Sequence, residues 1–376
     1  MRVAINTRFL LPDKMEGFGW YTYEITKRLV EQHPDVTFIL LFDRKYDPKF
    51  VFGENVIPVA LKPQARHPIL FKIWFNQSVK RALKKYKADV FLSPDGYLSL
   101  TTDVKQIAVM HDLNFIHNPQ DLKPVMRKYY LTQFPKFAEK ASHIITVSDY
   151  SKQDICSQYS VPQEDVTAIW NGVSEAFQPL KKDQIQTIRD KHSDGQPYFL
   201  FVGAIHPRKN VRRLIEAYAV YRENNPDSHM PLVIVGAELW TNAGMDIEIS
   251  ETLKRSIHFT GHVPLEELAS LMGAAEIFAF VPYFEGFGIP LIEAMRCGTP
   301  ILSGDRTSLP EVAGDAALYC DPFSVEDIAS KMTELVNNES LRNELSAKGL
   351  ERSKLFSWDI AAEKVWNVIK DQVDSD

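Results

Sequence analysis

The strongest constraint on the fold is a repeated alternation between short apolar runs and helical segments. Each run is continuous and rich in Val, Ile, Leu and Phe, which is typical of a strand buried on both faces. The stretches between the runs have the spacing of amphipathic helices. This alternation in both halves of the chain predicts an α/β fold with two doubly wound parallel sheets. The clearest runs are residues 3–5, 37–42, 107–110 and 143–148 in the first half, and 198–202, 232–236, 257–261 and 277–281 in the second.

Length and composition favour a soluble protein of more than one domain. The chain has 376 residues, 45% of them hydrophobic and 24% charged, and it contains no apolar run long enough to span a membrane. Its N-terminus enters a strand pattern directly, which predicts no signal peptide. Three cysteines are too few for a disulfide framework or a cysteine-based metal site. We therefore expect a cytoplasmic protein.

One stretch of the second half combines a glycine turn with a helix start. Gly286 and Gly288 follow the apolar run 277–281, and a helical pattern begins at Ile289 and ends before Gly298. Glycines let the backbone approach a ligand closely. The unpaired N–H groups at a helix N-terminus attract phosphate and other anions. This unit therefore predicts an anion-binding turn.

Two cations follow the first strand of the second half. Arg208 and Lys209 come after Gly203, just before a predicted helix. Cations are disfavoured at a helix N-terminus, so a bound phosphate would explain their presence there better than simple solvation. His111 occupies a similar place in the first half, at the carboxyl end of a strand, where open α/β sheets bind ligands. A histidine there is equally consistent with a purely structural hydrogen bond.

Two carboxylates, Glu285 and Glu293, flank this glycine turn in a Glu-x7-Glu pattern. Alone they could be a solvated loop residue and an exposed helix residue. Together with other motifs, however, the pattern resembles the signature of retaining family-4 glycosyltransferases of the GT-B fold. Those motifs span the whole chain: Gly17-Phe18-Gly19, His111-Asp112, Thr146-Val147-Ser148, Asn171-Gly172-Val173, Gly203 with Arg208-Lys209-Asn210, Gly236, Gly261-His262-Val263, Gly298-Thr299-Pro300 and Leu309-Pro310-Glu311.

The resemblance implies two Rossmann-like domains that face a central cleft. Residues 1–175 would form the acceptor-side domain, joined by a terminal helix, 358–376, that crosses back to it. Residues 176–357 would bind the donor. The implied reaction is retaining transfer of a mannose-type or glucose-type hexose from a GDP- or UDP-hexose to a glycan or lipid-linked acceptor. Phe18 and Trp20 make the first glycine segment bulkier than is common in the family, which leaves the acceptor open.

The resemblance also implies roles for individual residues. Arg208 and Lys209 would bind the donor diphosphate, and Glu293 the ribose. Glu285 and His111 would contact the transferred sugar. The remaining implied donor-binding residues offer backbone amides or line the base: Gly17, Gly19, Gly203, Val263, Phe287 and Gly288.

No cofactor or metal is expected, because the only Asp-x-Asp sequence is Asp374-Ser375-Asp376 at the extreme C-terminus. Arg208 and Lys209 would neutralise the diphosphate in place of a metal. Two other functions remain open, a nucleotide-sugar epimerase of the same fold and a non-catalytic nucleotide-sugar-binding module. A dehydrogenase is disfavoured because neither half carries a full Gly-x-Gly-x-x-Gly after a strand.

Charge is distributed unevenly along the chain. Residues 1–175 hold 23 Lys+Arg and 19 Asp+Glu, whereas the rest holds 20 and 30. The pattern predicts one long helix over residues 67–87, with Ile69, Trp74 and Leu83 on its apolar side, and the stretch 66–87 has seven basic residues and no acidic one. A solvated helix face is one explanation. The other is docking on an anionic membrane, which predicts a peripheral location on the inner face of the membrane. We expect no nucleic-acid partner.

Overall fold

The computed structural model describes residues 1–12, 15, 17–204, 206–236 and 250–374. Ser375 and Asp376 of the Asp-x-Asp sequence lie outside these residues. The chain divides into two compact units by its internal contacts. The first unit comprises Met1–Gly172 and Ser357–Asp376, and the second comprises Val173–Phe356.

Each unit is built around one sheet. The strands of the first sheet are β1 (Arg2–Asn6), β2 (Thr37–Phe42), β3 (Val56–Ala60), β4 (Val90–Ser93), β5 (Lys105–Val109), β6 (His143–Thr146) and β7 (Val166–Ala168). Those of the second are β8 (Phe199–Val202), β9 (Leu232–Val235), β10 (Ile257–Gly261), β11 (Ile277–Phe280), β12 (Ile301–Gly304) and β13 (Ala317–Cys320).

Helices connect the strands. In chain order they are α1 (Gly17–Gln32), α2 (Pro68–Ile73), α3 (Lys80–Tyr86), α4 (Asn114–His117), α5 (Pro124–Lys140), α6 (Asp149–Tyr159), α7 (Lys182–His192), α8 (Val211–Asn224), α9 (Glu251–Arg255), α10 (Leu265–Ala274), α11 (Ile289–Cys297), α12 (Leu309–Ala313), α13 (Val325–Asn337), α14 (Glu339–Ser353) and α15 (Trp358–Asp374).

Both sheets are parallel and doubly wound, which confirms the predicted fold class. The first sheet has the order β3-β2-β1-β4-β5-β6-β7 and the second β10-β9-β8-β11-β12-β13. Central strands are buried on both faces, as Val3, Ala4 and Ile5 show in β1. The strand order reverses between β1 and β4 and again between β8 and β11. These two places are the topological switch points, outside which ligands of such sheets bind.

The sequence pattern predicts a loop at Gly17-Phe18-Gly19 and a helix from about Tyr21 to Glu31. In the structure, helix α1 begins at Gly17, so this motif forms its first turn. Gly19 is buried in that turn, and a Cβ at this position would lie 2.9 Å from the carbonyl oxygen of Phe9. The glycine is therefore explained by close approach of the segment after β1.

The prediction of one regular helix over residues 67–87 is also wrong. A π-helical segment, Trp74–Val79, separates α2 from α3. The wider turn shifts the register, so Phe71 and Phe75 face the core together with Trp74. Ile69, expected on the apolar side, is 63% exposed. Aromatic packing therefore decides the buried face here, since a π turn moves the following side chains around the helix axis.

The terminal helix α15 belongs to the first unit. It packs against α1 and against β4, β5 and β6, and Asp359 pairs with Arg28 of α1 at 2.6 Å. Near its start the chain passes close to Gly172, where a Cβ would lie 2.1 Å from the backbone nitrogen of Trp358. A side chain at 172 is incompatible with this path of the chain.

Candidate functional site

Three glycines meet where β8, β9 and β10 end. Gly203 donates its N–H to the carbonyl of Val235, and Gly236 donates to that of Gly261, both at 3.0 Å. Gly236 has φ of +153°, and a Cβ there would lie 2.2 Å from the Gly203 carbonyl oxygen. Since a side chain at 236 would push these segments apart, the carboxyl edge of this sheet presents bare backbone. The predicted donor-binding residue Gly203 lies on this edge, and Val263 follows β10 with a half-buried side chain.

The two predicted cations lie on a short turn after β8. The 3₁₀ turn Pro207–Lys209 is followed by Asn210 in the left-handed conformation, with φ of +60°. The Asn210 amide donates to the carbonyls of Val281 at 2.9 Å and Pro322 at 2.6 Å. These bonds fix the turn to the segments that follow β11 and β13, so the cations have a defined position beside the glycine turn.

Both cations contact one carboxylate. Arg208 Nη1 lies 2.8 Å from Glu285 Oε2, and Lys209 Nζ lies 2.5 Å from Glu285 Oε1. Glu285 is only 6% exposed. Burial opposes its ionisation, but the attraction of Arg208 and Lys209 outweighs burial and lowers the pKa of Glu285. Glu285 is therefore an ionised carboxylate in a largely dry environment.

Two residues that sequence reasoning missed hold the loop that carries Glu285. The Glu285 N–H donates to Thr307 Oγ1 at 3.1 Å. The fully buried Ser308 hydroxyl lies 3.0 Å from the Glu285 carbonyl oxygen and 3.1 Å from that of Phe287. The only signal was position, because Ser308 directly precedes the Leu309-Pro310-Glu311 motif.

Gly288 directly precedes α11 and adopts the left-handed conformation, with φ of +98°. A Cβ at this position would lie 3.0 Å from Leu309 Cδ2, so both the conformation and the space favour glycine. The preceding Phe287 is buried and its ring packs edge-on against Phe356. The predicted anion-binding turn therefore has the expected form, a glycine followed by the N-terminus of a helix.

Glu293 lies on α11 and is half-buried. Burial raises its pKa to about 7, against a smaller opposing effect of the Lys209 charge. Lys209 thus contacts one carboxylate, Glu285, and lies within electrostatic range of a second. Among the predicted residues, the structure brings Arg208, Lys209 and Glu285 into contact, and it places Gly288 just before α11 and Glu293 on that helix.

His111, Gly17 and Gly19 lie in the first unit. His111 follows β5, and its Nε2 lies 2.8 Å from the carbonyl oxygen of Pro94. A carbonyl only accepts, so Nε2 carries the proton and Nδ1 has the lone pair of the neutral ring. Burial lowers the pKa of His111, which favours this neutral form. The rings of Phe18 and Tyr21, both on α1, pack edge-on against the imidazole with centroids 4.8 Å away.

The switch point of the first sheet carries an ion pair that the sequence did not indicate. Arg8 Nε lies 2.5 Å from Asp95 Oδ2, and each residue is 6% exposed. The Arg8 guanidinium lies over four aromatic rings, the nearest being Tyr97 at 4.4 Å from the centroid. Asp95 also accepts from Asn6 at 2.9 Å. This end of the first sheet is closed by a neutral, aromatic-covered pair.

Comparison with known proteins is consistent with this geometry. The sequence model of the family described as "Glycosyl transferases group 1" matches residues 183–352, and that of "Glycosyltransferase Family 4" matches residues 15–177. The two matches fall on the second and the first unit respectively, each of which carries a parallel sheet. The chain is a glycosyltransferase of the GT-B fold.

Two curated relatives of this glycosyltransferase come from Escherichia coli. The transferase is 27% identical to O-antigen chain mannosyltransferase B, over 95% of its own length and 96% of that protein. It is 31% identical to the serotype-specific mannosyltransferase WbdA over 68% of its own length but only 32% of the length of WbdA. The chain thus spans nearly all of the first relative and about a third of the second.

Solved glycosyltransferase structures share the fold of both units. Sucrose-phosphate synthase from Thermosynechococcus elongatus matches over the whole of both chains with a TM-score of 0.79 at 18% identity. WaaG, a glycosyltransferase involved in lipopolysaccharide biosynthesis, matches with a TM-score of 0.75 at 19% identity over 98% of this chain and 99% of its own. At such identities the similarity shows the fold alone.

Two kinds of feature are absent from the described part of the transferase. Over residues 1–12, 15, 17–204, 206–236 and 250–374, no group of three or more His, Cys, Asp and Glu side chains is arranged to hold a metal ion. None of the helices described in the same residues is both long and apolar enough to cross a membrane.

Proposed function

We propose that the protein is a retaining hexosyltransferase that uses a nucleotide-diphosphate sugar. The observation that carries this proposal is the convergence of Arg208 and Lys209 on Glu285 beside the N-terminus of α11. Two fixed cations and a helix N-terminus suit a diphosphate, and an ionised carboxylate beside them suits the hydroxyls of the attached sugar. The bare backbone at Gly203 and Gly236 leaves room for the nucleotide.

The roles follow from the chemistry of each group. Arg208 and Lys209 bind the diphosphate and stabilise the charge that develops on it as the glycosidic bond breaks. Glu293 accepts from the ribose hydroxyls. Glu285 and His111 contact the sugar, and the amides of Phe287 and Gly288 face the donor. The acceptor oxygen bonds to the anomeric carbon on the face from which the diphosphate leaves, and the acceptor proton passes to the leaving phosphate oxygen.

We propose that no metal or other cofactor takes part. The two cations supply the charge neutralisation that a divalent metal supplies elsewhere. Turnover should therefore survive an excess of EDTA, and loss of activity that Mn²⁺ or Mg²⁺ restores would contradict this part of the proposal.

For the sugar, the names of the relatives favour mannose, and for the acceptor a glycan. O-antigen chain mannosyltransferase B and the Salmonella typhimurium O-antigen chain mannosyltransferase RfbU are similar to this chain at 27% and 28% identity. A glucose donor is the competing candidate, because the similar fold of HepE from Anabaena was solved with UDP and glucose. We propose GDP-mannose as donor, a polysaccharide under synthesis as acceptor, and a cytoplasmic site of action.

A first test compares donors without any assumption about the acceptor. Thermal-shift measurements with GDP, UDP, GDP-mannose and UDP-glucose should show a rise in unfolding temperature for one matched nucleotide and its sugar, since a ligand that binds the folded state stabilises it. Incubation with that donor then separates the functions. Transfer with retention supports the proposal, isomerisation of the sugar without acceptor supports an epimerase, and binding without either reaction supports a binding module.

We further propose that the first unit docks on anionic membrane, where a lipid-linked glycan would be accessible. Helices α2 and α5 pack together, and each exposes a large apolar side chain near basic residues, Ile69 at 63% and Val125 at 58%. Apolar side chains flanked by lysines suit a lipid interface. The exposed basic residues of helices α2, α3 and α5 are Lys72, Lys80, Arg81, Lys84, Lys85, Lys128, Lys136 and Lys140.

Vesicle co-sedimentation tests the docking. Each basic residue near an anionic surface contributes about 1 kcal/mol, so changing Lys80, Arg81, Lys84 and Lys85 to Glu should abolish binding to anionic vesicles at low salt. A control variant changes four exposed lysines of the second unit to Glu, which alters the net charge by the same amount. It should bind anionic vesicles more strongly than the first variant does. These lysines are Lys182, Lys191, Lys254 and Lys354. Equal binding to neutral vesicles would contradict the proposal.

A further inference from the structure

Glu285 contacts both of the cations that the proposed function assigns to the diphosphate. Each of its oxygens contacts a different cation, Arg208 at 2.8 Å and Lys209 at 2.5 Å. The arrangement matches what a phosphate group would offer, two anionic oxygens shared between two cations. One carboxylate therefore takes the place of two phosphate oxygens.

This contact is strong enough to affect ligand affinity. Glu285 is 6% exposed, so little water screens its charge. The loop that carries it is fixed by Thr307 and Ser308, which bond to its backbone N–H and carbonyl. A diphosphate that reaches Arg208 and Lys209 must either draw them off the carboxylate or lie beside a fixed negative charge. Both alternatives cost free energy.

We propose that Glu285 competes with the diphosphate for Arg208 and Lys209 and thereby drives release of the nucleotide product. This inference rests on the proposed function, because it assumes that the two cations bind a diphosphate. When the donor enters, the cations turn to the phosphate oxygens and the carboxylate is freed for the sugar. When the product leaves, the carboxylate takes the cations back.

The competition lowers the affinity for the nucleotide product more than the affinity for the donor. In the nucleotide sugar the terminal phosphate is esterified, whereas in the free nucleoside diphosphate it has a second ionisation with a pKa of about 6. The product therefore carries more negative charge at pH 7 than the donor does. Repulsion from Glu285 rises with that charge, so Glu285 lowers the affinity for product more than that for donor.

Titration calorimetry on the full-length protein tests this with GDP, UDP, GDP-mannose and UDP-glucose. Glu285→Gln keeps the size of the side chain and removes its charge. We expect this variant to bind the matching nucleoside diphosphate about tenfold more tightly than the unmodified protein, with a smaller gain for the nucleotide sugar. Product inhibition of any residual transfer should rise in parallel. Unchanged or weaker binding of the diphosphate by a folded Glu285→Gln variant would overturn the inference.

Glu276 provides a matched control. It too bridges two cations of the second unit, Arg189 and Arg342, each at 3.0 Å. It directly precedes β11, however, and so lies at the amino end of the sheet, opposite the glycine edge. Glu276→Gln should leave the affinity for diphosphate and nucleotide sugar unchanged. An equal tightening in this variant would show a general charge effect and would also overturn the inference.

A second variant keeps the test decisive if Glu285→Gln does not fold. Glu285→Asp retains the charge but is too short to bridge both cations, so it should also tighten diphosphate binding, by a smaller factor. Circular dichroism establishes folding for each variant. If the unmodified protein binds none of the four ligands, the proposed function fails. If it binds them but neither variant binds the diphosphate more tightly, only this inference fails.

Discussion

The two switch points have the same strand topology but differ in the burial and charge balance of their ion pairs. At the first, Arg8 and Asp95 neutralise each other beneath aromatic rings, and both side chains are almost fully enclosed. At the second, Arg208 and Lys209 meet Glu285 beside bare glycine backbone, and the Arg208 side chain is 24% exposed. Two cations against one carboxylate leave an excess positive charge at the second site, whereas the first has none.

The difference separates a structural ion pair from an exchangeable one. A buried pair covered by aromatic rings has no access for a competing anion, so it fixes the segments after β1 and β4. A pair with an accessible cation and a neighbouring helix N-terminus can exchange its carboxylate for a phosphate. Burial and covering groups, rather than residue types, therefore distinguish the proposed ligand site from the structural ion pair. Three experiments examine this contrast.

The largest effect is expected from Asp95→Asn. Removing one partner of a buried ion pair leaves the other charge uncompensated and costs roughly 3–5 kcal/mol of the free energy of unfolding. Five of the six tryptophans lie in the first unit, so fluorescence during urea denaturation reports on it. A variant that stays folded should still bind nucleotide. Unchanged stability would contradict the structural role of the pair, and loss of nucleotide binding without loss of stability would indicate a functional one.

The second experiment removes the cations of the exchangeable pair. Arg208→Ala and Lys209→Ala should each cost roughly 2–4 kcal/mol of transition-state stabilisation, the scale of one lost electrostatic group. Steady-state kinetics with the true donor measures the loss. Arg212→Ala is the control, because Arg212 lies on α8 and pairs with Glu216 at 2.8 Å; it should keep near-native turnover. Near-native turnover in both test variants would exclude the diphosphate role.

The smallest effect concerns the pH dependence of stability through Glu293. In the folded protein the Glu293 carboxyl keeps its proton up to about pH 7, whereas in the unfolded chain it loses the proton near its ordinary pKa of 4.5. Between these values the folded state binds more protons, so this contribution to stability is complete below about pH 4.5 and is lost as the pH rises through about 7.

Glu293→Gln removes this dependence. Relative to the unmodified protein, the variant should therefore be more stable at pH 8 than at pH 5, as measured by the unfolding temperature without ligand. Glu285→Gln serves as the contrast: the pKa of Glu285 is lowered from 4.5, so its contribution to stability is already complete at pH 5, and the difference should be the same at both pH values. A difference for Glu293→Gln that is equal at both pH values would contradict the pKa assignment.

Much of the architecture was predictable because parallel strands have a simple signature. Central strands such as β1, β8 and β11 are buried on both faces, so their sequences are continuous apolar runs. The edge strands β3 and β13 were not predicted. β3 contains Pro58 and lies at the edge of its sheet, where a proline is tolerated but weakens the strand pattern. Helix α7 lies in the polar stretch 177–195 after the predicted domain boundary, where the sequence pattern does not predict a helix.

The errors also have physical causes. Two glycines close together, Gly17 and Gly19, are typical of a loop. The sequence does not show that the segment after β1 passes so close to α1 that a Cβ at position 19 would meet Phe9. The π-helical segment Trp74–Val79 could not be predicted from the sequence, because it depends on which aromatic side chains pack into the core. Close approach and side-chain packing are properties of the assembled unit, and no local pattern encodes them.

The sequence by itself determined the two parallel sheets, the glycine turn before α11 and the types of charged groups that the site contains. Only the tertiary structure decided which of those groups meet. Arg208 Nη1 donates to the carbonyl oxygen of Phe284 at 3.2 Å, although the two residues are 76 positions apart in the chain. They meet because β8 and β11 pair as neighbours at the switch point. The same structure enclosed Arg8 and Asp95 while leaving Arg208 accessible. Strand pairing and burial depend on contacts between residues far apart in the chain. The sequence therefore shows which chemical groups are present, and the fold decides which of them are neighbours.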